Sequence, residues 1–371
     1  MFSYWESGFE IQRPDFVFIG AGIVGLSAAY HLKQRLPNAS VVVLERSMLP
    51  NGASTKNAGF ACFGSAGELL SDFERMGEEA SLNLVEKRLA GLDLLRRTLG
   101  EQNIVYQNCG GVEIFRSKAE AEFVLGNLST LNMLLSNISG KETFAISEHA
   151  RNMGFAGVHA SVFNQYEGAI NPMKMMQSWM KLCSDIGVKI YFGAALKSYE
   201  KTADGFNLQL EDDYEFNCGQ LSFCTNGFSK SFFPELDIEP ARAQVLVTEE
   251  IPNLKMNSCF HLDEGYFYFR NIGKRILLGG GRNLAFEAEN TSAQALNDDI
   301  QNALNALLRY CIHPRKELKV EQRWTGIMAV GKEKTYILKE NEDGTYIAAR
   351  LGGMGVAIGT KVGKELAEAL G

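Results

Sequence analysis

Short, wholly apolar runs alternate with stretches of helical period along the first fifty residues. Phe16-Val17-Phe18-Ile19 reads as a buried strand, the segment after Gly25 as a helix, and Val41-Val42-Val43-Leu44 as a second buried strand closing on Glu45. Residues 46–70 are rich in Gly, Ser, Ala and Asn and predict a loop running into short helical turns. Leu82, Val85, Leu89, Leu92, Leu95 and Leu99 recur at helical spacing and predict one or two long helices over 68–99, stopping at Gly100. Strands are expected at Ile104–Tyr106 and Gly111–Phe115, and a helix over 117–137. Asn171-Pro172 is a helix start, with Asn as the cap and Pro at the first helical position. That helix should run over 172–185, and a strand should follow Gly187. A β-meander then leads back to a buried strand at Gln220–Cys224. Residues 241–282 are strand-rich, 291–311 helical, and strands recur in ELKVEQRWTGIM and KTYILKE. The chain ends as strand, glycine turn and helix in YIAARLGGMGVAIGTKVGKELAEAL.

The pattern is α/β. Elements suited to one parallel sheet lie at both ends and in the middle, with β-rich stretches between them. The expected partition is a discontinuous nucleotide domain (12–80, 150–235 and 325–371) and a discontinuous antiparallel β-sheet domain for substrate (81–149 and 236–324).

The first strand runs directly into Gly20-Ala21-Gly22-Ile23-Val24-Gly25. Strand, GxGxxG, helix, second strand and terminal acid in this order are what a dinucleotide-binding unit requires. Gly20 permits the tight turn, Gly22 lets backbone approach a pyrophosphate, and Gly25 lets helix pack on strand. The helix start offers N–H groups and partial positive charge to phosphates. Glu45 stands where a carboxylate accepts both ribose hydroxyls and repels a 2′-phosphate, which disfavours NADP. The motif alone leaves NAD and FAD open. A second glycine-rich turn, Gly352-Gly353-Met354-Gly355-Val356, precedes the last helix and could aim N–H groups at another polar part of the same cofactor.

With 371 residues, 46% hydrophobic and 22% charged, the chain has the make-up of a globular enzyme. The net charge of −7 and the lack of a basic, aromatic-interleaved cluster argue against nucleic acid as a partner. No apolar run reaches the ~20 residues of a membrane helix, and the N-terminus has no secretory pattern. Seven cysteines without a CxxC pair read as reduced thiols, giving a cytoplasmic expectation. His31 reads as structural, and His159, His261 and His313 show no metal spacing, so no metal is expected.

The order GAGIVGLSAAYHL, VLER, GASTKNAGF, a middle helix from Pro172, and RLGGMGV before the last helix is similar to FAD-dependent oxidoreductases of the D-amino-acid oxidase, glycine oxidase and sarcosine oxidase superfamily. Ser3-Tyr4-Trp5, Gly52-Ala53-Ser54 with Asn57-Ala58-Gly59, and Gly110-Gly111-Val112 resemble the gamma-glutamylputrescine oxidase branch in particular. The resemblance covers nearly the whole chain. It implies a Rossmann-like FAD domain of the glutathione-reductase type and non-covalent FAD. The implied cofactor contacts are Gly20, Gly22, Ile23, Val24, Gly25, Glu45 and Arg46; Ala53, Ser54, Thr55, Asn57, Ala58, Gly59 and Phe60; Leu196, Asn226 and Gly227; and the turn 352–356. It further implies oxidation of an amine or N-substituted amino acid by hydride transfer to flavin N5, with O₂ or another acceptor taking the electrons. A dehydrogenase serving a quinone or carrier, or a non-catalytic flavin protein, are the alternatives.

Tyr266 matches a tyrosine that closes the substrate pocket in the amino-acid oxidases. Tyr268 and Phe60 are further candidate walls. The family's carboxylate-binding arginine is replaced by Met328, for which Arg282 or Arg350 could substitute. The oxygen-activating lysine of the sarcosine oxidases is replaced by Leu277. Met354 stands where the family often has a histidine, which rules out histidyl flavin linkage there, and Cys62 and Cys259 read as buried thiols. No catalytic acid or base is assigned.

Overall fold

A computed structural model describes residues 13–140, 142–314 and 317–371. One sheet has the strand order Ile337–Glu340, Tyr346–Ala349, Gln220–Phe223, Phe16–Ile19, Val41–Glu45, Lys189–Phe192. The last five run parallel and Ile337–Glu340 is antiparallel at the edge. Phe16–Ile19 is central, with Phe18 in register with Val43 on one side and Ser222 on the other. Both faces of this strand are covered, which is why it is apolar at every position. Phe18 packs with the helices Ile23–Arg35, Pro172–Asp185 and Gly355–Ala369. Val17 and Ile19 pack with the meander Leu196–Thr202, Gly205–Leu210 and Glu215–Cys218.

The second sheet has eight strands, in the order Val320–Val330, Glu239–Thr248, Arg275–Gly280, Phe267–Ile272, Cys259–Leu262, Gly111–Phe115, Ala160–Asn164, Phe144–Ile146. Neighbours are antiparallel except Cys259–Leu262 with Gly111–Phe115, which run parallel. Alternation sorts its side chains by face. Phe260, Phe269, Ile276 and Leu278 pack under the helix Asp298–Leu307. Tyr268, Leu277 and Val245 take the opposite face and meet Ala58 and Phe60.

Several boundaries differ from expectation for local reasons. The helical stretch 68–99 is two helices, Ala66–Met76 and Glu78–Leu99, separated by Gly77 at φ 84. Ile104–Tyr106 is not a strand: Val105 has φ 53, and only Gln107 pairs, singly, with Ala169. The helix expected over 291–311 starts at Asp298, where the Asn297 side chain caps it by accepting from the Asp299 and Ile300 amides. Three elements cross the expected partition. Val320–Val330 pairs along its length with Glu239–Thr248 across the expected boundary at 324/325. Ala160–Asn164 pairs into the eight-stranded sheet, and Glu78–Leu99 packs on the last helix, where a Cβ at Gly91 would fall 2.1 Å from the Ala357 carbonyl oxygen. Ser3-Tyr4-Trp5 lies outside the described residues.

Candidate active site

Where the two sheets face each other lies a cavity of about 1060 Å³. At one end the first strand delivers Gly20 at φ 104, and a Cβ there would meet the Cys224 carbonyl oxygen at 2.8 Å. Any side chain would therefore push the turn off its neighbouring strand. Gly25 lies so close to the turn that a Cβ would fall 2.0 Å from the Gly20 oxygen, so it serves packing and does not line the cavity. The start of the helix Ile23–Arg35 has no capping side chain of its own. Its Ile23 amide donates to Ser54 Oγ at 3.0 Å. Glu45 accepts from the Ala21 amide through Oε2 and from the Ser47 amide through Oε1, each at 3.1 Å. Leu196 lines the cavity near Glu45. Arg46 also lines it, with its guanidinium 3.7 Å from the Phe228 ring centre.

The loop after Gly52 is tied by its own polar side chains. Asn57 Nδ2 donates to the Ala53 and Ser54 carbonyls, and its Oδ1 accepts from the Gly59 amide at 2.9 Å. Thr55 Oγ1 donates to Pro50 and Gly52. Ala53, Ser54, Asn57, Ala58 and Phe60 face the cavity; Thr55 and Gly59 do not. Arg270, which sequence reasoning gave no role, closes the loop from the other sheet, donating to the Ala58 carbonyl at 2.6 Å and the Ile170 carbonyl at 2.9 Å.

The second glycine turn reaches the same cavity through Gly352, Gly353, Met354, Gly355 and Val356. Gly352 and Gly353 have φ 58 and 83. Asn226 faces it too, with a buried Oδ1 that has no partner among the described residues. Gly227 does not line it; a Cβ there would lie 2.5 Å from the Met328 carbonyl oxygen.

The far end is aromatic. Phe60 meets Tyr268 with ring centres 5.6 Å apart and His261 at 5.3 Å. Tyr266 packs on Phe286 at 5.8 Å. Burial pushes the Tyr268 phenol up to about 12. Met328 lines this end, in register with Ala241. Leu277 is buried in the sheet beneath Ala58 and does not line the cavity. Arg282 does line it, with a buried Nε that has no partner among the described residues, and burial lowers its pKa.

Arg350 lines the cavity as well, but its guanidinium is engaged by protein groups. Its Nε donates to the Thr335 carbonyl, Nη1 to the Asp237 carbonyl and carboxylate, and Nη2 to Glu333. Those bonds commit its guanidinium to holding three segments together, so it is no free anchor for a carboxylate.

Two polar clusters were unforeseen. Lys334 Nζ reaches Glu68 at 2.7 Å and Asp72 at 2.7 and 2.8 Å. Burial works to raise Glu68, but Lys334 and Arg88 outweigh it and hold the carboxyl below its usual range. Buried Cys62, Glu167 and His261 bring ligand-type atoms within 4.8 Å of one another, although no sequence spacing joins them.

The family model described as FAD dependent oxidoreductase matches residues 15–369. The chain belongs to that FAD-dependent oxidoreductase family. It is 22% identical over 377 residues to the probable oxidoreductase OrdL of Haemophilus influenzae, spanning 97% of this chain and 84% of that one. Among solved structures it resembles glycine oxidase from Geobacillus kaustophilus (TM-score 0.78, 15% identity, 96% and 95% of the two chains). It also resembles L-proline dehydrogenase from P. horikoshii (TM-score 0.77, 16% identity, 96% and 93%). The fold is thus that of FAD-binding oxidoreductases, and the chain is an oxidoreductase. No helix among the described residues is long and apolar enough to cross a membrane.

The cavity suits the family's cofactor. It is larger than an ordinary small-molecule pocket of about 300–1,000 Å³ and runs from a carboxylate and a glycine cradle to an aromatic end. Two helix starts and an unpartnered Asn226 oxygen face it on the way.

Proposed function

We propose that this enzyme oxidises the C–N bond of an amine or N-substituted amino acid, yielding an imine that water hydrolyses. The observation that carries the reading is the single cavity joining the Gly20–Gly22 cradle to the pocket of Phe60, Tyr266, Tyr268 and Met328. Bound FAD would supply the acceptor for a hydride equivalent at N5. The chain's own part is to hold and orient. Glu45 would take the adenosine ribose, Gly22 and Ser54 the pyrophosphate, and the loop 57–60 with the turn 352–356 the flavin half. Two features support non-covalent attachment. Met354 has no nucleophile to offer, and burial keeps the Cys62 and Cys259 thiols protonated by raising their pKa. An aromatic and thioether wall where the family has an arginine favours secondary amines, polyamines or N-substituted amino acids. Seven unpaired cysteines support a reducing, cytoplasmic setting.

Leu277, apolar and 2% exposed, stands at the oxygen-activating lysine position. That favours, as the second reading, delivery of electrons to a quinone or carrier. Purified protein should show oxidised-flavin absorbance near ~450 nm, the cofactor's own property, and an amine should bleach it anaerobically. Peroxide under air would mark an oxidase; turnover only with an artificial acceptor would mark a dehydrogenase. Colourless protein that binds NAD and takes up no FAD, or flavin that no amine bleaches, would overturn the proposal.

A further inference from the structure

His261 lies in the strand Cys259–Leu262, where Phe260 and Leu262 enter the helix-covered core. His261 takes the opposite face, lines the cavity and sits beside Phe60. Its Nε2 is 2.7 Å from Glu167 Oε2. Glu167 is 1% exposed, and its other oxygen accepts from Asn164 Nδ2 at 3.3 Å. Gly111 makes the room for this carboxylate, since a Cβ there would fall 1.9 Å from Oε2. The Gly110-Gly111-Val112 segment thereby has a physical purpose. An ionised carboxylate only accepts, so Nε2 carries the shared proton, and the neutral imidazole keeps its lone pair on Nδ1. Nδ1 has no hydrogen-bond partner among the described residues, and the residue is 7% exposed. An imidazole with a free acceptor nitrogen, its tautomer fixed by a buried carboxylate, therefore lines the aromatic end of the cavity.

We propose that His261 accepts the proton of the substrate's ammonium group and that Glu167 is its positioning residue. This role rests on the amine-oxidation reading. A protonated nitrogen has no lone pair to assist loss of hydride from the adjacent carbon. Passing one proton from that nitrogen to Nδ1 restores the lone pair. The imidazolium so formed is balanced by Glu167, and no electrons change hands in the step. Four titratable groups face the imidazole: Glu167, Glu113, Glu68 and Cys62. Burial lowers the His261 pKa, but the first three outweigh it and raise it. Burial pushes Glu113 up to about 7, against hydrogen bonds from the Gly67 amide and Ser65 Oγ. Burial likewise raises Cys62, whose thiol stays neutral.

The test uses the FAD-loaded enzyme and whichever amine bleaches it from a panel of N-methyl amino acids, secondary amines and diamines. Anaerobic flavin reduction should quicken with rising pH in the wild type. His261→Asn should slow it by about 10²-fold or more with flavin content and spectrum unchanged. Glu167→Gln removes the charge that favours imidazolium, so the midpoint of the pH profile should move down. A residue serving packing alone would lower the rate without moving that midpoint. Independently of turnover, ¹⁵N-histidine labelling of the five histidines, with the His261 signal assigned by its loss in His261→Asn, should show a protonated Nε2 and a bare Nδ1. The proposal is overturned by a protonated Nδ1 in the neutral ring, by an unmoved midpoint in Glu167→Gln, or by a rate that falls with pH, as a cationic anchor would give. A stoichiometric metal ion removed by chelation and lost in Cys62→Ala would overturn it too. Wild-type flavin that no amine reduces defeats the amine reading and this role with it, while the tautomer measurement separately reports whether the pair exists.

Discussion

Arg270→Met should loosen the loop that carries Ala58, Gly59 and Phe60. The Arg270 side chain is 7% exposed, and its two strongest bonds go to the carbonyls of Ala58 and Ile170, at 2.6 and 2.9 Å. They bracket the short pairing of Phe60-Ala61 with Gly168-Ala169. Hydrogen bonds to a charged donor contribute about 1.5–3 kcal/mol each. Against the two lost, the variant regains the cost of burying a guanidinium that has no carboxylate partner among the described residues. Burial indeed lowers the Arg270 pKa. The net expectation is a loss of about 2–4 kcal/mol. With an unfolding entropy of about 2.1 cal/mol/K per residue and 371 residues, that is a fall in Tm of about 3–5 °C. Calorimetry or flavin-fluorescence melting reads it directly, and flavin release should begin below the global transition because the loop yields first. Arg270→Lys should recover little, since one ammonium cannot span two carbonyls in the fork geometry of a guanidinium. A methionine variant with wild-type Tm and wild-type flavin retention would refute the clamp.

Glu45→Ala should weaken FAD binding roughly tenfold to a hundredfold, the loss of a charge-assisted hydrogen bond or two; titration of apoprotein followed by flavin quenching measures it. Arg350→Gln should lower stability by about 2–4 kcal/mol and reduce kcat/KM in equal proportion for carboxylated and uncharged amines; selective loss with carboxylated substrates would show that it binds carboxylate after all. Arg242 donates to fully buried Glu289 at 2.9 and 2.6 Å, so Arg242→Met should cost about 3–5 kcal/mol by stranding a carboxylate. Burial works to raise Glu289, but bonds from Arg242, Gln244 and Asn297 bring its folded pKa below the usual value. Its stabilisation is therefore complete above the unfolded carboxyl's ~4.3 and lost as pH falls through the lower folded value, so Glu289→Gln should flatten the acid limb of a denaturant-midpoint profile.

What the sequence made legible was local chemistry. The Gly20–Gly25 turn, Glu45 at the end of its strand and the Asn171 cap, which accepts from the Lys174 amide at 3.1 Å, each depend on residues a few positions apart. The polar furniture of the pocket does not. Glu167 and His261 are 94 residues apart, and Lys334 lies 262 and 266 residues from Asp72 and Glu68. No periodicity encodes such meetings. Ile104–Tyr106 misleads for a related reason. Ile104 is β-branched and wholly buried, but it is buried by a turn whose carbonyl accepts from the Asn171 amide at 2.9 Å, not by strand neighbours. At Arg350 the sequence shows a cation beside a glycine turn but not its partners: its positive φ of 64 goes with a side chain turned back to Asp237 and Thr335.

Glycines in the eight-stranded sheet carried more information than their turn-forming reputation suggests. Gly279 is paired directly with Tyr268 across the strands, and a Cβ there would enter the Tyr268 ring at 2.5 Å. Gly280, at φ 112, lies where a Cβ would strike the Tyr266 carbonyl oxygen at 1.9 Å. Gly280 thus lets the Tyr266 backbone approach, and Gly279 makes room for the Tyr268 ring. Gly111 does the same for Glu167. A strand glycine costs stability relative to alanine, and at these three sites the volume it leaves is taken by a group that lines the cavity or orients one that does. Missing side chains on the sheet thus mark the aromatic end of the cavity as clearly as Gly20 and Gly22 mark its other end.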